Sequence, residues 1–220
     1  MDRRTIRLLL FGAAVLDVIF PLVVAGLDAV DNIDPIRRTL SLHALRGGFP
    51  WMGLAFIAHA FALEMLAAAL RRLPPTPYAA PVALRLAGAA SALLAILHPD
   101  EPGTESVMGH LHEALALVAF LGIAAAGLFA ANAHRTDPYW VGRWRLPAGF
   151  AIALLTTLAG LGLLVLLAQL YDPLKGYYGL AERIVVACIG AWMVSTAVQG
   201  IRVSERIGAA SRAPTMPTIR

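Results

Sequence analysis

The chain has 220 residues, of which 59% are hydrophobic and only 15% charged, with a formal net charge of +4. A soluble domain of this size carries about a quarter charged residues. The composition therefore excludes a globular enzyme built round one water-facing core and divides the chain into membrane-crossing helices of about 20 residues each. The positive balance does not suggest nucleic acid, because the arginines sit in short loops with no basic block of interleaved aromatics. Membrane lipids are the partners this composition implies, in a multi-pass protein of the cell membrane, while protein partners stay unknown. Cys188 is the only cysteine, so intramolecular disulfides and cysteine-based zinc sites are excluded, and it reads as a small core residue.

In chain order, the first apolar run is Ile6 to about Leu27, preceded by Arg3, Arg4 and Arg7. It is longer than a signal-peptide core, contains Asp17 and lacks a small-x-small cleavage site, so it reads as an uncleaved first helix. The second run, 51–70, is closed by Arg71-Arg72 and Pro74-Pro75, where prolines stop a helix. The third, about 82–97, is short, and its Arg85 is expected to snorkel to the cytoplasmic headgroups. The remaining runs are about 110–131, 147–170 and 180–201. The expectation is an all-α, polytopic bundle of six transmembrane helices within residues 1–202, followed by a disordered cytoplasmic tail over 203–220, which is rich in proline, small residues and arginine.

Orientation follows from the distribution of basic residues. The segments at one side hold thirteen of the eighteen Lys and Arg residues, which places both termini in the cytoplasm. The alternate loops hold the other five, together with Asp28, Asp31, Asp34, Asp100, Glu101, Glu105 and Asp172, so the outer surface is expected to be acidic. Gly88 with Ala92, and Gly122 with Ala126, put small residues on one helical face and let neighbouring backbones approach closely. The Arg143-Trp144-Arg145 cluster reads as an anchor for anionic lipid.

Several segments resemble the bacterial membrane family catalogued as domain of unknown function 998. They are His98-Pro99-Asp100 followed by Gly109-His110-Leu111-His112-Glu113-Ala114, then Gly179-Leu180-Ala181-Glu182-Arg183, and Ser41-Leu42 before the second helix. The sequence departs from the family pattern at Leu42-His43, where an acidic residue and a leucine are expected, and in carrying a second histidine, His112. The resemblance covers nearly the whole chain and implies a six-helix bundle. It supplies no established reaction.

Polar residues inside a bilayer are costly and need partners. Asp17 falls near the middle of the first span and His59 at similar depth in the second, so the two are expected to be able to pair, either as a structural hydrogen bond or as a proton relay or substrate contact. Glu64 lies nearer the cytoplasm and is not grouped with His59. A denser set falls on the outer side. If the loop after the third helix turns back tightly, His98, Asp100 and His110 converge, with His43 and Glu113 in support. His110 and Glu113 share a helical face, whereas His110 and His112, two apart, do not.

Neutral imidazoles beside carboxylates suit a zinc ion held by His98, Asp100 and His110, which would activate water. Without metal, Ser41 would be a nucleophile and Asp100 and His110 the acid–base groups; in the plainer alternative these side chains cap helices or face water. Glu182 and Arg183 open the sixth helix and read as a lipid or structural anchor. Three functional readings stay open. One is binding or processing of a lipid or other amphiphile at the outer-face His/Asp site, one a small proton-coupled transporter using Asp17 and His59, and one a non-enzymatic membrane scaffold.

Overall fold

The computed structural model describes residues 2–31, 34–45, 48–101 and 104–210. These form six α-helices and two single-stretch 3-10 helices, with no strand among the described residues. The α-helices are α1 (Arg3–Asp31), α2 (Phe49–Leu70), α3 (Ala79–Leu94), α4 (Val107–His134), α5 (Arg145–Ala168) and α6 (Tyr178–Ala210). The 3-10 helices are Leu40–Leu45, between α1 and α2, and Asp172–Tyr177, before α6.

Each expected span holds one helix. Five of the six helices are long and apolar enough to cross a bilayer, while α3 has 16 residues. At 1.5 Å per residue α3 rises about 24 Å, short of the roughly 30 Å of hydrocarbon. The chain is therefore a polytopic helical membrane bundle. Two expectations need correction. α6 continues through Ala210, where a disordered tail had been expected from 203; residues 211–220 of that tail lie outside the described residues. Arg85 does more than snorkel, since its Nη2 donates to Glu64 Oε1 at 2.8 Å on the outer surface of α2 and α3. Pairing the two charges lowers the penalty of holding either near lipid.

The helices form a ring in chain order, each packed on its neighbours, with α6 closing on α1. Both termini of the described chain lie at one end, with the arginine-rich turns 71–78 and 135–144; this is the basic end. The acidic end carries the other three connections. The bundle exterior is apolar, with Phe11, Leu22, Phe61, Ile152 and Leu166 exposed. Lipid solvates such a surface, whereas in water a patch of that extent would drive association.

The half of the bundle toward the basic end is tightly filled. Leu10, Leu66, Leu70, Leu154, Trp192 and Met193 are almost completely buried there. The turns at that end are pinned by one aromatic stack. His134 lies on Trp140 with ring centroids 3.6 Å apart and planes 6° apart. Trp140 Nε1 donates to the Pro74 carbonyl at 3.1 Å, which ties the α2–α3 turn to the α4–α5 turn. Close approach of α3 to α4 depends on Gly122, where an added Cβ would lie 3.0 Å from the Ala83 carbonyl oxygen and 3.1 Å from Ala87 Cβ.

The Gly122→Val protein is expected to lose about 1–3 kcal/mol, the usual penalty of overpacking. Gly160→Ala, where a Cβ meets nothing within 4 Å, should change little. Unfolding titrations of the detergent-solubilised proteins check both, and equal stabilities would contradict the packing described.

Candidate functional site

At the acidic end, the segment between α1 and α2 is held by a knot of charged side chains. His43 is fully buried and reaches two carboxylates, with Nε2 2.9 Å from Asp28 Oδ1 and Nδ1 3.0 Å from Asp31 Oδ2. Ionised carboxylates only accept hydrogen bonds. With both aspartates ionised, His43 must donate from both ring nitrogens and carry a positive charge. Arg183, from α6, completes the knot, donating to Asp28 Oδ1 at 2.5 Å and Oδ2 at 3.2 Å. The charges of Asp28, Asp31, His43 and Arg183 then sum to zero.

Arg183 also fastens backbone. Its Nη1 donates to the carbonyls of Pro35, Arg38 and Gly179. Next to it, Glu182 Oε2 accepts from the Leu40 amide at 2.7 Å. Gly179 allows this docking because a Cβ there would run into the Arg38 backbone. The geometry of Glu182 and Arg183 is thus that of an anchor for the 34–45 segment, whose 3-10 helix folds over the mouth of the bundle.

Beneath that segment lies a cavity lined by α1, α2, α3, α4 and α6. It offers about 60 Å³ to the centres of water-sized spheres, and at roughly 10–15 Å³ per water this holds on the order of four. Ser41 and Glu182 lie toward its covered end, and Asp17 and His59 toward the middle of the bundle. Between α6 residues Glu182 and Gly190, which packs beside Asp17, eight residues span about 12 Å. No Lys or Arg lines the cavity, only two carboxylates and two imidazoles among the groups that could carry charge.

Asp17 and His59 meet as their depths suggested. His59 Nδ1 lies 3.0 Å from Asp17 Oδ1, and Asp17 is 3% exposed. The other carboxylate oxygen, Oδ2, is buried and accepts no hydrogen bond. α1 continues through Pro21, which has no N–H to give the carbonyl four residues back, that of Asp17. Two acceptors of one residue therefore lack their usual donors halfway along α1. Phe20 packs against both Phe56 and His59, with centroids 5.3 and 5.6 Å apart, so aromatic rings wall the carboxylate.

His112 is the other group sequence reasoning passed over. It is buried, lines the cavity, and its Nδ1 lies 2.9 Å from the Leu97 carbonyl oxygen. A carbonyl accepts, so Nδ1 carries the proton and Nε2 keeps a lone pair in the neutral ring. The signal was present: two residues from His110, it had to face the opposite way, which is inward. Asp28 and Asp31, at i and i+3, also announced a shared helical face, but not the His43 and Arg183 that meet it.

The expected outer His/Asp centre is not assembled. His98 is exposed and stacks on Phe49, with ring centroids 4.1 Å apart. Asp100 is taken up by Ser106, accepting from its amide at 2.7 Å and its hydroxyl at 2.5 Å, while Ser106 caps α4. These bonds hold the Asp100 carboxyl below its ordinary value of 3.8. His110 and Glu113 are exposed on α4. Among the described residues no three His, Cys, Asp or Glu side chains come together to hold a metal ion. Tight local satisfaction of Asp100 is the physical reason. The carboxylate is engaged by Ser106 at the N-terminus of α4, and His110, although near enough to act on it electrostatically, makes no hydrogen bond to it among the described residues. Ser41 lies apart from these, at the cavity, its hydroxyl 3.3 Å from that of Thr39.

Residues 11–199 of the chain match the model of a family described as protein of unknown function (DUF998). No curated protein and no solved structure matches the chain.

Removing Arg183 leaves Asp28 with one fewer cation in a largely buried site, and breaking such a pair costs about 3–5 kcal/mol. Arg183→Ala is expected to approach the lower figure and to raise amide exchange across residues 34–45, read by mass spectrometry. Unchanged exchange there would contradict the anchoring role. Asp100 has a lowered folded pKa, so its support of the α4 N-terminus is present above pH 3.8 and is lost as pH falls through the folded value. Exchange at residues 104–110 should rise over that acid range in wild type and already be raised near neutral pH in Asp100→Ala.

Proposed function

The chain belongs to the DUF998 family of proteins of unknown function, and from that premise we propose that it is a small proton-coupled carrier whose binding site is the Asp17–His59 pair. The observation that carries this reading is the Asp17 Oδ2 atom, buried and unpartnered beside a cavity midway along the bundle. An unsatisfied polar atom in an apolar interior is expensive. It is covered in the working protein by a proton, a water or a ligand, and exchange among these is the coupling a carrier needs.

The surroundings support the same reading. Binding sites near the bilayer midplane, formed where a helix is interrupted, are the usual design of secondary transporters, and Pro21 interrupts the α1 ladder at this depth. The tightly filled basic half blocks passage in this conformation. The cavity belongs to the acidic half, which the arginine asymmetry assigns to the outside. A carrier then alternates this conformation with one in which the basic half opens.

The test uses a single thiol. With Cys188 replaced by serine, Ser91→Cys puts the one cysteine in the cavity lining. A water-soluble methanethiosulfonate added on either side of sealed vesicles should label it, since both conformations are visited. Asp17→Asn should shift the ratio of the two rates by several fold. Labelling from the acidic side alone, in both proteins, would sink the carrier reading.

A second reading keeps the site but changes the chemistry. Ser41, Glu182 and His112 line the same cavity, and the fixed tautomer of His112 leaves Nε2 available as a base. That set would suit attack on an amphiphile entering from the outer leaflet. A fluorophosphonate probe distinguishes it. Labelling of Ser41 that disappears in His112→Ala would favour hydrolysis, and absence of label in wild type would remove it.

A further inference from the structure

We infer that the ligand of this cavity is a small organic ammonium ion, bound with its N–H groups on Asp17 and its alkyl part against Phe20 and Phe56. The inference rests on the carrier reading and adds the chemical class of what is carried.

Charge comes first. The cavity lining contains Asp17 and Glu182 but no Lys or Arg. An anion would enter against two carboxylates with no cation to meet it, and each such unpaired burial is heavily penalised. A neutral solute would leave Asp17 without a counter-charge other than His59. An ammonium ion supplies the charge that is missing.

Hydrogen-bonding geometry comes next. The acceptor without a donor at the inner end of the cavity is Asp17 Oδ2. An ammonium group has up to three donors and no acceptor, which matches a site that offers acceptors alone. His59 already donates to Oδ1 and so leaves Oδ2 to the ligand.

The walls decide between an organic and an inorganic cation. Phe20, Phe56 and Phe120 line the cavity, and Phe20 touches the His59 ring that holds Asp17. Aromatic faces attract organic cations that have shed part of their water. A sodium or calcium ion wants five or more oxygen ligands, and the rings cannot supply them. Size sets the upper bound. Space for on the order of four water-sized groups takes an ammonium nitrogen with about three carbons, not a whole lipid. Glu182, about 12 Å nearer the mouth, is a first carboxylate that such an ion passes on its way to Asp17.

The experiment uses the full-length protein in detergent and in proteoliposomes. Binding of propylammonium is compared with that of propionate, propanol and sodium by isothermal titration and thermal unfolding. Propylammonium alone should bind and stabilise the wild-type protein. Asp17→Asn still accepts from His59 but loses the charge, and should weaken binding at least tenfold. Gly190→Ala is the second variant, because its Cβ would sit 3.4 Å from Asp17 Oδ2 and cover that atom without disturbing the pair. It should weaken binding similarly while folding normally, so a failure of Asp17→Asn to fold leaves the question decidable. Propionate, propanol or sodium binding as well as propylammonium overturns the inference, whatever the thiol labelling shows. Propylammonium binding that both variants leave unchanged overturns it too. Labelling from one side only removes the carrier reading, even if propylammonium binds.

Discussion

Hydrocarbon offers a polar group nothing to bond with, and this single constraint organises the molecule. The backbone satisfies itself as helix, which leaves only side chains and helix interruptions to find partners. Most polar groups of consequence in the bundle can be read as an answer, though Thr196 Oγ1 and Arg143 Nε are buried without a partner among the described residues. Glu64 and Arg85 answer one another on the outer surface. Trp140 and His134 answer through Pro74 and Thr76 at the basic end. Asp28, Asp31, His43 and Arg183 answer collectively at the acidic end. Asp17 is answered by half, through His59, and its remaining oxygen is buried beside the cavity without a partner.

The two halves of the bundle differ for a physical reason. Toward the basic end, leucines, tryptophans and small residues interdigitate, and Gly122 and Gly200 let helices or side chains come within contact distance. Interiors packed to this density deform little and transmit force well. Toward the acidic end the helices are separated by polar and aromatic side chains that cannot close the same way without burying unsatisfied atoms. The chain covers that opening with the 34–45 segment. This segment has little apolar core of its own beyond Leu40, so ion pairs and backbone hydrogen bonds through Arg183 and Glu182 hold it. A cover secured by a few directional contacts opens more readily than a packed helix end, as the proposed carrier would require.

The candidate site was legible in the sequence in unequal parts. Asp17 and His59 could be paired because helix position converts directly into depth, and two polar groups at one depth in lipid have few other partners. His98, Asp100 and His110 looked like a centre because they are close along the chain, yet proximity in a loop says nothing about which donor a carboxylate takes first. Asp100 takes Ser106, six residues on. The helical geometry that separates His112 from His110 is the same geometry that turns it inward, to the cavity. His43 was assigned to the outer His/Asp set, whereas its partners are on the end of α1.

Composition and hydropathy alone determined that the chain crosses a membrane several times as helices, and roughly where each begins and ends. The solvent imposes that outcome on any sufficiently long apolar stretch, one stretch at a time, so no knowledge of neighbours is needed. The ring order with α6 against α1, the hold of Arg183 on a loop some 150 residues earlier, and the cavity that joins Ser41, His112 and Glu182 to Asp17 were decided only by tertiary structure. These depend on how helices rotate about their axes and which faces meet, a choice made jointly by all six through side-chain packing that no single segment encodes.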